Sequence, residues 1–531
     1  MELDQIVQAL QDPAAFPHPA GDLKLHHTHI SVVVLAGDFA YKVKKPVDLG
    51  FLDFTTLERR RHFCSEEVRL NRRLAPDVYL DVVSLTLRDG GLRVGGEGDP
   101  VEYAVRMRRL APDATALARL ERGELGPGDV EHLAVRIARF HDEAPGGERI
   151  EHFGRYEVVA GNARENFEQS RSHLGHTVEA GVFERARALT EAELERRRQL
   201  IEDRARRGVP RDTHGDLHLD HVYFLPGRSP PGDMAIVDCI EFNERFRFAD
   251  PVSDMAFLAM DLAYRDRRDL AARFTDAYLE AAADPEGRAL VPLYRSYRSA
   301  VRAKVEGIAS LDAEVPEAAR SRAAERACAY WLLTLGQLEI PPRRPGLVLV
   351  AGLPATGKST LAAGLAEHAS FEVLASDRVR KELAGVPPGR SAAAAPDEGL
   401  YAPEWTERTY AALLDRASAI LHRGGRALVD ASFHREERRR EFVALARSLA
   451  VPVCVLVCRT DAGSVRRRLE SRAGGPSDAD WEVYRTMAAR WEAPGPDTAR
   501  HVGDIDTTVE PADSLRAALA EVAGAGLVPG A

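Results

Sequence analysis

The chain has 531 residues, 45% hydrophobic and 29% charged, which is more than one core absorbs at about 100 to 200 residues per domain and too apolar for a disordered polymer. Its 72 basic and 82 acidic residues leave a net charge of −10, which disfavours broad attraction to nucleic acid or to an anionic membrane. Five cysteines in no metal-binding spacing, and apolar runs far short of the about 18 residues of a membrane span, point to a reduced cytoplasmic compartment and no membrane partner.

Residues 31–44, SVVVLAGDFAYKVK, hold two β-rich runs around a Gly-Asp turn and predict a hairpin. The stretch that follows, TTLERRRHFCSEEVRLNRRLA, opens on Thr55 with Glu58 three residues on, a capping-box pattern ahead of apolar residues at helical spacing. VEYAVRMRRL, residues 101–110, alternates as a strand. Residues 128–145 and most of 160–208 and 255–338 are arginine-rich and helix-forming. A small sheet-rich lobe over about 1–107 is therefore expected before a helical lobe over about 108–340. The prolines and glycine of EIPPRRPG, residues 339–346, mark a boundary. From 346 to 531 the apolar runs LVLVAG, FEVLAS, RALVDAS and VPVCVLVC alternate with helical stretches, the βα repetition of a parallel α/β sheet covered on both faces.

Only seven lysines stand against 65 arginines, so the placement of lysine is informative. Three cluster in YKVKKP (Lys42, Lys44, Lys45) and one sits in GLPATGKST (Lys358). A compact ammonium fits a crowded phosphate site where a planar guanidinium does not. GLPATGKST matches GxxxxGK[ST] through Gly352, Gly357, Lys358 and Ser359, followed by Thr360, and it lies between a predicted strand and a predicted helix. In such a loop the glycines let backbone N–H groups wrap phosphate oxygens, the lysine neutralises the β- and γ-phosphates, and the hydroxyl ligates Mg²⁺. Asp377, at the end of the second predicted strand, is placed to accept a proton from a substrate hydroxyl, or else to cap a helix. Asp430 closes RALVD and is placed to hold Mg²⁺, or else to serve as a turn residue. Arg466, Arg467, Arg468 and Arg472 crowd the helix after the fourth strand, either to close over a transferring phosphate or as a solvated face. With ASD and RALVDASF in order after the glycine-rich loop, residues 346–531 resemble the small P-loop kinases that include gluconate kinase, polynucleotide 5′-kinase and the zeta toxins. The resemblance implies that Asp377 activates the acceptor hydroxyl and that Arg468 and Arg472 belong to a lid over ATP.

A second constellation lies upstream, in THGDLHLDHVYF (213–224), the loop PGRSPPGD and MAIVDCIEF (234–242). In phosphotransferases of the protein-kinase type one Asp accepts the hydroxyl proton, a residue five positions on helps to hold metal, and a later Asp holds Mg²⁺. Asp216, His221 and Asp238 occupy those places. Lys42 on the predicted strand and Glu67 on the following helix supply the pair that sets the α- and β-phosphates, with Lys44 as the alternative on the same strand face. Together with FRFADPVSDMAFL, whose Asp250 and Asp254 read as structural braces of the loop and helix after Asp238, residues of about 20–330 resemble the aminoglycoside phosphotransferase family. That family carries asparagine at the place of His221 and a GxGxxG loop where this chain has HHTHIS. Taken whole, the chain resembles bifunctional aminoglycoside phosphotransferase and P-loop ATP-binding proteins. The resemblance implies a bilobal kinase-like domain (1–340) and a P-loop kinase domain (346–531), each using ATP and Mg²⁺ to phosphorylate a hydroxyl of a small molecule. Two alternatives stand beside it: a nucleotide-binding regulator in the first domain, and a polynucleotide 5′-hydroxyl kinase in the second.

Overall fold

Alternating β-branched and aromatic residues build the first sheet. The computed structural model describes residues 1–50, 52–88, 90–387, 399–471 and 481–530. Strands β1 (Lys24–His27), β2 (Ser31–Ala36), β3 (Phe39–Lys44), β4 (Tyr79–Arg88), β5 (Gly91–Val94) and β6 (Pro100–Arg108) form an antiparallel sheet of order β1-β2-β3-β6-β4-β5. Opposite pairs Val32↔Val43 and Val34↔Tyr41 set the β2–β3 register, and all four side chains are fully buried. Burying each aliphatic side chain of this kind contributes roughly 1.5–3 kcal/mol. Because side chains alternate between faces, Lys42 and Lys44 emerge opposite Tyr41 and Val43, on the face that the helix Leu57–Asn71 covers through Cys64 and Val68.

That helix starts one residue later than the capping pattern suggests. Thr56 is the cap, its Oγ1 accepting from the Arg59 N–H at 3.2 Å. Asp53 has already captured Thr55, whose hydroxyl and N–H both donate to Asp53 Oδ1, at 2.6 and 3.0 Å.

Beyond the sheet, helices Pro127–Glu143 and Arg268–Ala281 pack on each other. Short strands β7 (Arg211–Asp212), β8 (Val222–Phe224), β9 (Met234–Ile236) and β10 (Phe248–Ala249) pair as β8–β9 and β7–β10, both antiparallel. Asp216 lies just before the β8–β9 hairpin and Asp238 just after it.

The parallel sheet consists of β11 (Gly346–Ala351), β12 (Glu372–Ala375), β13 (Arg426–Asp430), β14 (Val453–Arg459) and β15 (Val502–Asp506), in the order β12-β13-β11-β14-β15. All six residues of β11 are buried, as a central parallel strand requires. The fifth strand was not among those expected. Its sequence, VGDID, puts aspartates at the exposed alternate positions of an edge strand and lacks the apolar run that marks the other four. The C-terminal ends of β11, β12 and β13 lie side by side, and ligands of open α/β sheets gather at such ends.

The chain forms two compact units, residues 1–161, 197–262 and 267–294 on one side and 162–196, 263–266 and 295–531 on the other. The antiparallel sheet and the β8–β9 hairpin belong to the first and the parallel sheet to the second. The fold is thus α+β followed by α/β: a region of antiparallel sheet and helices, then a parallel sheet whose strands alternate with helices. Among the described residues no helix is long and apolar enough to cross a membrane, and all five cysteines are free thiols.

Candidate functional site

Two residues apart on β3, Lys42 and Lys44 reach the same carboxylate. Glu67, on the buried side of helix Leu57–Asn71, sets Oε1 2.9 Å from Lys42 Nζ and Oε2 2.7 Å from Lys44 Nζ. Lys42 also donates to Asp238 Oδ1 at 2.6 Å, and Lys44 to Glu241. Lys42 is thus the lysine that reaches the cleft acid, whereas Lys44 stands behind it, fully buried. Burial alone would strip charge from both ammonium groups, but the facing carboxylates reverse it and raise both well above the usual lysine range. Burial likewise pushes Glu67 up, and the two lysines outweigh it and hold Glu67 below its ordinary value. For Glu241 desolvation wins over Lys44 and the shift is upward.

Glu241 was missed in the sequence. The available signal was a second lysine at strand spacing from Lys42, which needs its own counter-charge once inside the protein. Glu241→Gln is expected to lower unfolding stability by about 2–3 kcal/mol. Breaking a buried ion pair costs about 3–5 kcal/mol, and Glu67 still faces Lys44. Chemical denaturation followed by circular dichroism checks it, since Trp331, Trp405, Trp481 and Trp491 all lie outside the compact unit that holds Glu241.

The loop carrying Asp216 is pinned from three sides. The Asp254 carboxylate accepts the N–H groups of His214 at 3.0 Å and Gly215 at 2.9 Å, and lies 3.0 Å from His141 Nε2. His214 Nε2 donates to the Val237 carbonyl at 2.9 Å, so its Nδ1 accepts the Asp216 N–H at 3.3 Å. Gly215 has φ +87°, and a Cβ there would meet the Phe246 carbonyl at 2.9 Å. Asp254 is structural, but the loop it braces is that of Asp216 rather than the segment after Asp238 where it was expected, and Asp250 takes Arg204 at 2.6 and 3.0 Å. The Asp216 carboxylate keeps a third of its surface open.

Burial pushes the fully enclosed His214 down to about 4, from 6.5 when unperturbed. Between those values the unfolded chain holds a proton that the folded chain rejects, so stability rises with pH. The contribution is complete above about pH 6.5 and is lost as pH falls toward about 4, on the order of 3 kcal/mol in all. His214→Gln should flatten this part of a stability-against-pH curve measured by urea unfolding.

His221 Nδ1 lies 2.8 Å from the Asp216 carbonyl, which can only accept, so Nδ1 carries the hydrogen. Nε2 of the neutral ring then presents its lone pair, 3.6 Å from Asp238 Oδ2. Burial drives the His221 pKa down, which favours that neutral form. Asp238 adopts φ +65°, an uncommon backbone for a non-glycine residue. It is held there by its N–H donating to the Tyr79 hydroxyl at 3.1 Å and by the Cys239 N–H donating to Asn71 Oδ1 at 2.9 Å. Desolvation pushes its carboxyl up, but Lys42 overrides this and holds it well below the usual carboxylate range. The structure therefore brings Asp216, His221, Asp238, Lys42 and Glu67 into one continuous cluster. Where a glycine-rich turn was lacking, Thr28 Oγ1 closes the β1–β2 turn by accepting the N–H groups of Ser31 at 2.9 Å and Ile30 at 3.4 Å.

The second cluster sits at the C-terminal edge of the parallel sheet. Gly352 (φ +147°) and Gly357 (φ +92°) bound a loop in which a Cβ on Gly352 would meet Thr356 Oγ1 at 2.8 Å and the Cys458 carbonyl at 3.0 Å. Lys358 opens helix Lys358–Ala369 and donates to the Leu353 carbonyl at 2.7 Å. Ser359 Oγ donates to Asp430 Oδ2 at 2.7 Å, and Thr360 is exposed on the first helical turn. Desolvation raises the Asp430 pKa against the pull of Lys358. Asp377 is not on the strand: β12 ends at Ala375, and Asp377 lies in the first turn of helix Ser376–Leu383, 3.1 Å from Arg380. Nor is it the helix cap, a place taken by Ala375.

Arg468 reaches the phosphate loop, donating to the carbonyls of Ala355 at 3.3 Å and Thr507 at 2.6 Å. Arg466 instead pairs with Glu470, and Arg467 donates to Ser464 Oγ. Arg472 lies outside the described residues. The two adjacent oxygens of Ser359 and Asp430 are the hard donors that suit Mg²⁺. The imidazole and carboxylate of His221 and Asp238 are a mixed set that suits it poorly.

Comparison with known proteins places the chain. The uncharacterized protein Rv2004c of Mycobacterium tuberculosis (strain ATCC 25618 / H37Rv) is 34% identical over 481 residues, covering 89% of this chain and 91% of that protein. This chain belongs to the same family. The uncharacterized protein Mb2027c of Mycobacterium bovis matches with the same identity and coverage. The shared 481 residues exceed either compact unit, so members of this family carry counterparts of both units in one chain. Residues 347–494 also match a family model described as an AAA domain. Among solved structures, a choline/ethanolamine kinase family protein from Mesorhizobium loti is similar at 14% identity and TM-score 0.37, over 64% of this chain and 99% of that one. A gluconokinase from Sinorhizobium meliloti 1021 is similar at 19% identity and TM-score 0.26, over 34% and 94%.

Proposed function

We propose that this protein is an ATP-dependent phosphotransferase with two separate sites, one in a module of residues 1–340 and one in a module of residues 346–531. Each passes the γ-phosphate of ATP to a hydroxyl of a small molecule. The observation that carries the reading is the way the scarce lysines are spent: Lys42 is held between Glu67 and Asp238, and Lys358 heads a helix behind a glycine-bounded loop.

At the first site Asp216 takes the proton of the acceptor hydroxyl, the freed oxygen bonds to the γ-phosphorus, and the bond to the β-phosphate oxygen breaks to release ADP. Lys42, fixed by Glu67, meets the phosphate oxygens. At the second site the loop amides and Lys358 hold the phosphates. Asp377 serves as the base there, and Arg468 approaches the transferring group from the Thr507 side. Ser359 and Asp430 would hold Mg²⁺, which when bound would neutralise part of the phosphate charge.

A second reading is favoured by His221, which stands where the resembling family has asparagine: the first module binds nucleotide as a regulator and only the second transfers phosphate. Titrating the intact chain with a fluorescent ATP analogue tests the two-site reading. Two equivalents are expected at saturation, falling to one in Lys358→Ala. A single equivalent in the unaltered chain overturns it. Isotope transfer from γ-labelled ATP to a panel of hydroxylated acceptors, with Lys358→Ala as background, separates catalyst from regulator.

A further inference from the structure

Three ligand-bearing residues crowd around Asp216. One ligand atom each from Asp216, His218 and His221 falls within 4.8 Å of the others. The His218 ring lies over His221 at 3.9 Å between centroids, and its Nε2 faces Asp216 Oδ2 at 3.5 Å. The His221 atom nearest Asp216 Oδ2 in this trio, at 3.8 Å, is Nδ1, which already donates to the Asp216 carbonyl. A nitrogen bearing a hydrogen has no lone pair to give a metal. The other face of the ring differs. Nε2, the nitrogen left without a hydrogen, lies 3.6 Å from Asp238 Oδ2, less than the about 4.2 Å spanned by two metal bonds of about 2.1 Å. The spacing therefore admits one ion bonded to both atoms. Each is fixed from behind, His221 by the Asp216 carbonyl and Asp238 by Lys42 on its other oxygen. A hydrogen bond from the ring's far nitrogen to a carbonyl is also the usual way a ligating histidine is oriented.

We propose that the first site takes a divalent first-row transition ion, bound by His221 Nε2 and Asp238 Oδ2, in place of Mg²⁺. The proposal rests on the phosphotransferase reading for the role of the ion and on the geometry alone for its binding. Imidazole is a borderline donor that suits iron, nickel, copper or zinc better than Mg²⁺, which keeps to oxygen ligands and water. The Ser359–Asp430 pair offers oxygens only, so the two sites of one chain would differ in metal.

Mn²⁺ is the probe, because pulsed electron paramagnetic resonance reads nitrogen nuclei bonded to it. Intact protein with Mn²⁺ and ADP is expected to show coupling to an imidazole nitrogen, and the coupling should change isotope pattern when the chain is made with ¹⁵N-histidine. His221→Asn should abolish it and lower the ratio of Mn²⁺ to Mg²⁺ affinity at this site. His218→Gln should retain it. If unaltered protein with bound Mn²⁺ shows no histidine coupling, or if the coupling survives His221→Asn, the proposal is wrong, and the isotope experiment gives that answer even if a variant fails to fold. Phosphate transfer is measured separately on the same samples. Coupling without transfer supports the metal site and removes the phosphotransferase reading, whereas transfer without coupling overturns the metal site alone.

Discussion

Asp216→Asn is expected to slow phosphate transfer at the first site by about 10²–10⁴-fold, the range that removal of a positioned general base produces. ATP affinity there should stay within about threefold. The separation follows from how the loop is held. Backbone groups of His214, Gly215 and Asp216 are satisfied by Asp254, by the His214 ring and by His221, and none of these bonds uses the Asp216 carboxylate. Asparagine therefore keeps the loop and its shape while removing the only property the chemistry needs, a charge able to accept a proton. On the proposed reading phosphate charge is met elsewhere, by Lys42, which is paired with Glu67 and Asp238. Single-turnover transfer in a Lys358→Ala background, with nucleotide affinity measured alongside, checks both halves. Full transfer by Asp216→Asn would remove Asp216 from the base role. A parallel loss of nucleotide affinity would mean instead that the substitution had disturbed the Lys42 cluster.

What the sequence made legible was local. The phosphate loop, the Asp216 loop and the position of Asp238 are spacings of a few residues on one stretch of backbone, and such spacings translate directly into geometry. The parallel sheet was legible for a related reason, since strands buried on both faces leave apolar runs such as LVLVAG. The edge strand β15 leaves no such run. Glu241 was hidden for a different cause: its partner Lys44 is 197 residues away in sequence, and only the folded sheet and the segment after β9 bring them together. The preference for Lys42 over Lys44 had little sequence support for the same reason, because both lie on one strand face, share Glu67 and differ in the second, distant carboxylate each meets. Thr55 lost its capping role to Thr56 through a competing bond to Asp53, a choice between two adjacent hydroxyls that pattern alone does not settle. Asp377 shifted from strand end to first helical turn because β12 is only four residues long.

Lys358→Ala should weaken ATP binding at the second site by about 10²–10³-fold, within the about 2–5 kcal/mol that losing one partner of a hydrogen-bonded charge pair costs on binding, and Lys358→Arg should not restore it. The arginine variant is the more telling, since this chain uses arginine in 65 of its 72 basic positions and keeps lysine here. The loop has little room. A Cβ on Gly352 would already press on Thr356 and on the Cys458 carbonyl, and a Cβ on Gly357 would lie 3.7 Å from the Arg468 guanidinium. Lys358 Nζ reaches back to the Leu353 carbonyl at 2.7 Å, folded over the loop it heads. A planar fork of five donors at that place would crowd a loop to which Arg468 is already fastened through the carbonyls of Ala355 and Thr507. The two guanidinium groups would also repel across a site that now holds one ammonium and one guanidinium. Isothermal titration with ATP and Mg²⁺, on a chain whose first site is disabled by Lys42→Ala, reads the effect directly. If arginine at 358 bound ATP as tightly as lysine, the crowding argument would fail, and the retention of lysine at this position would need another cause.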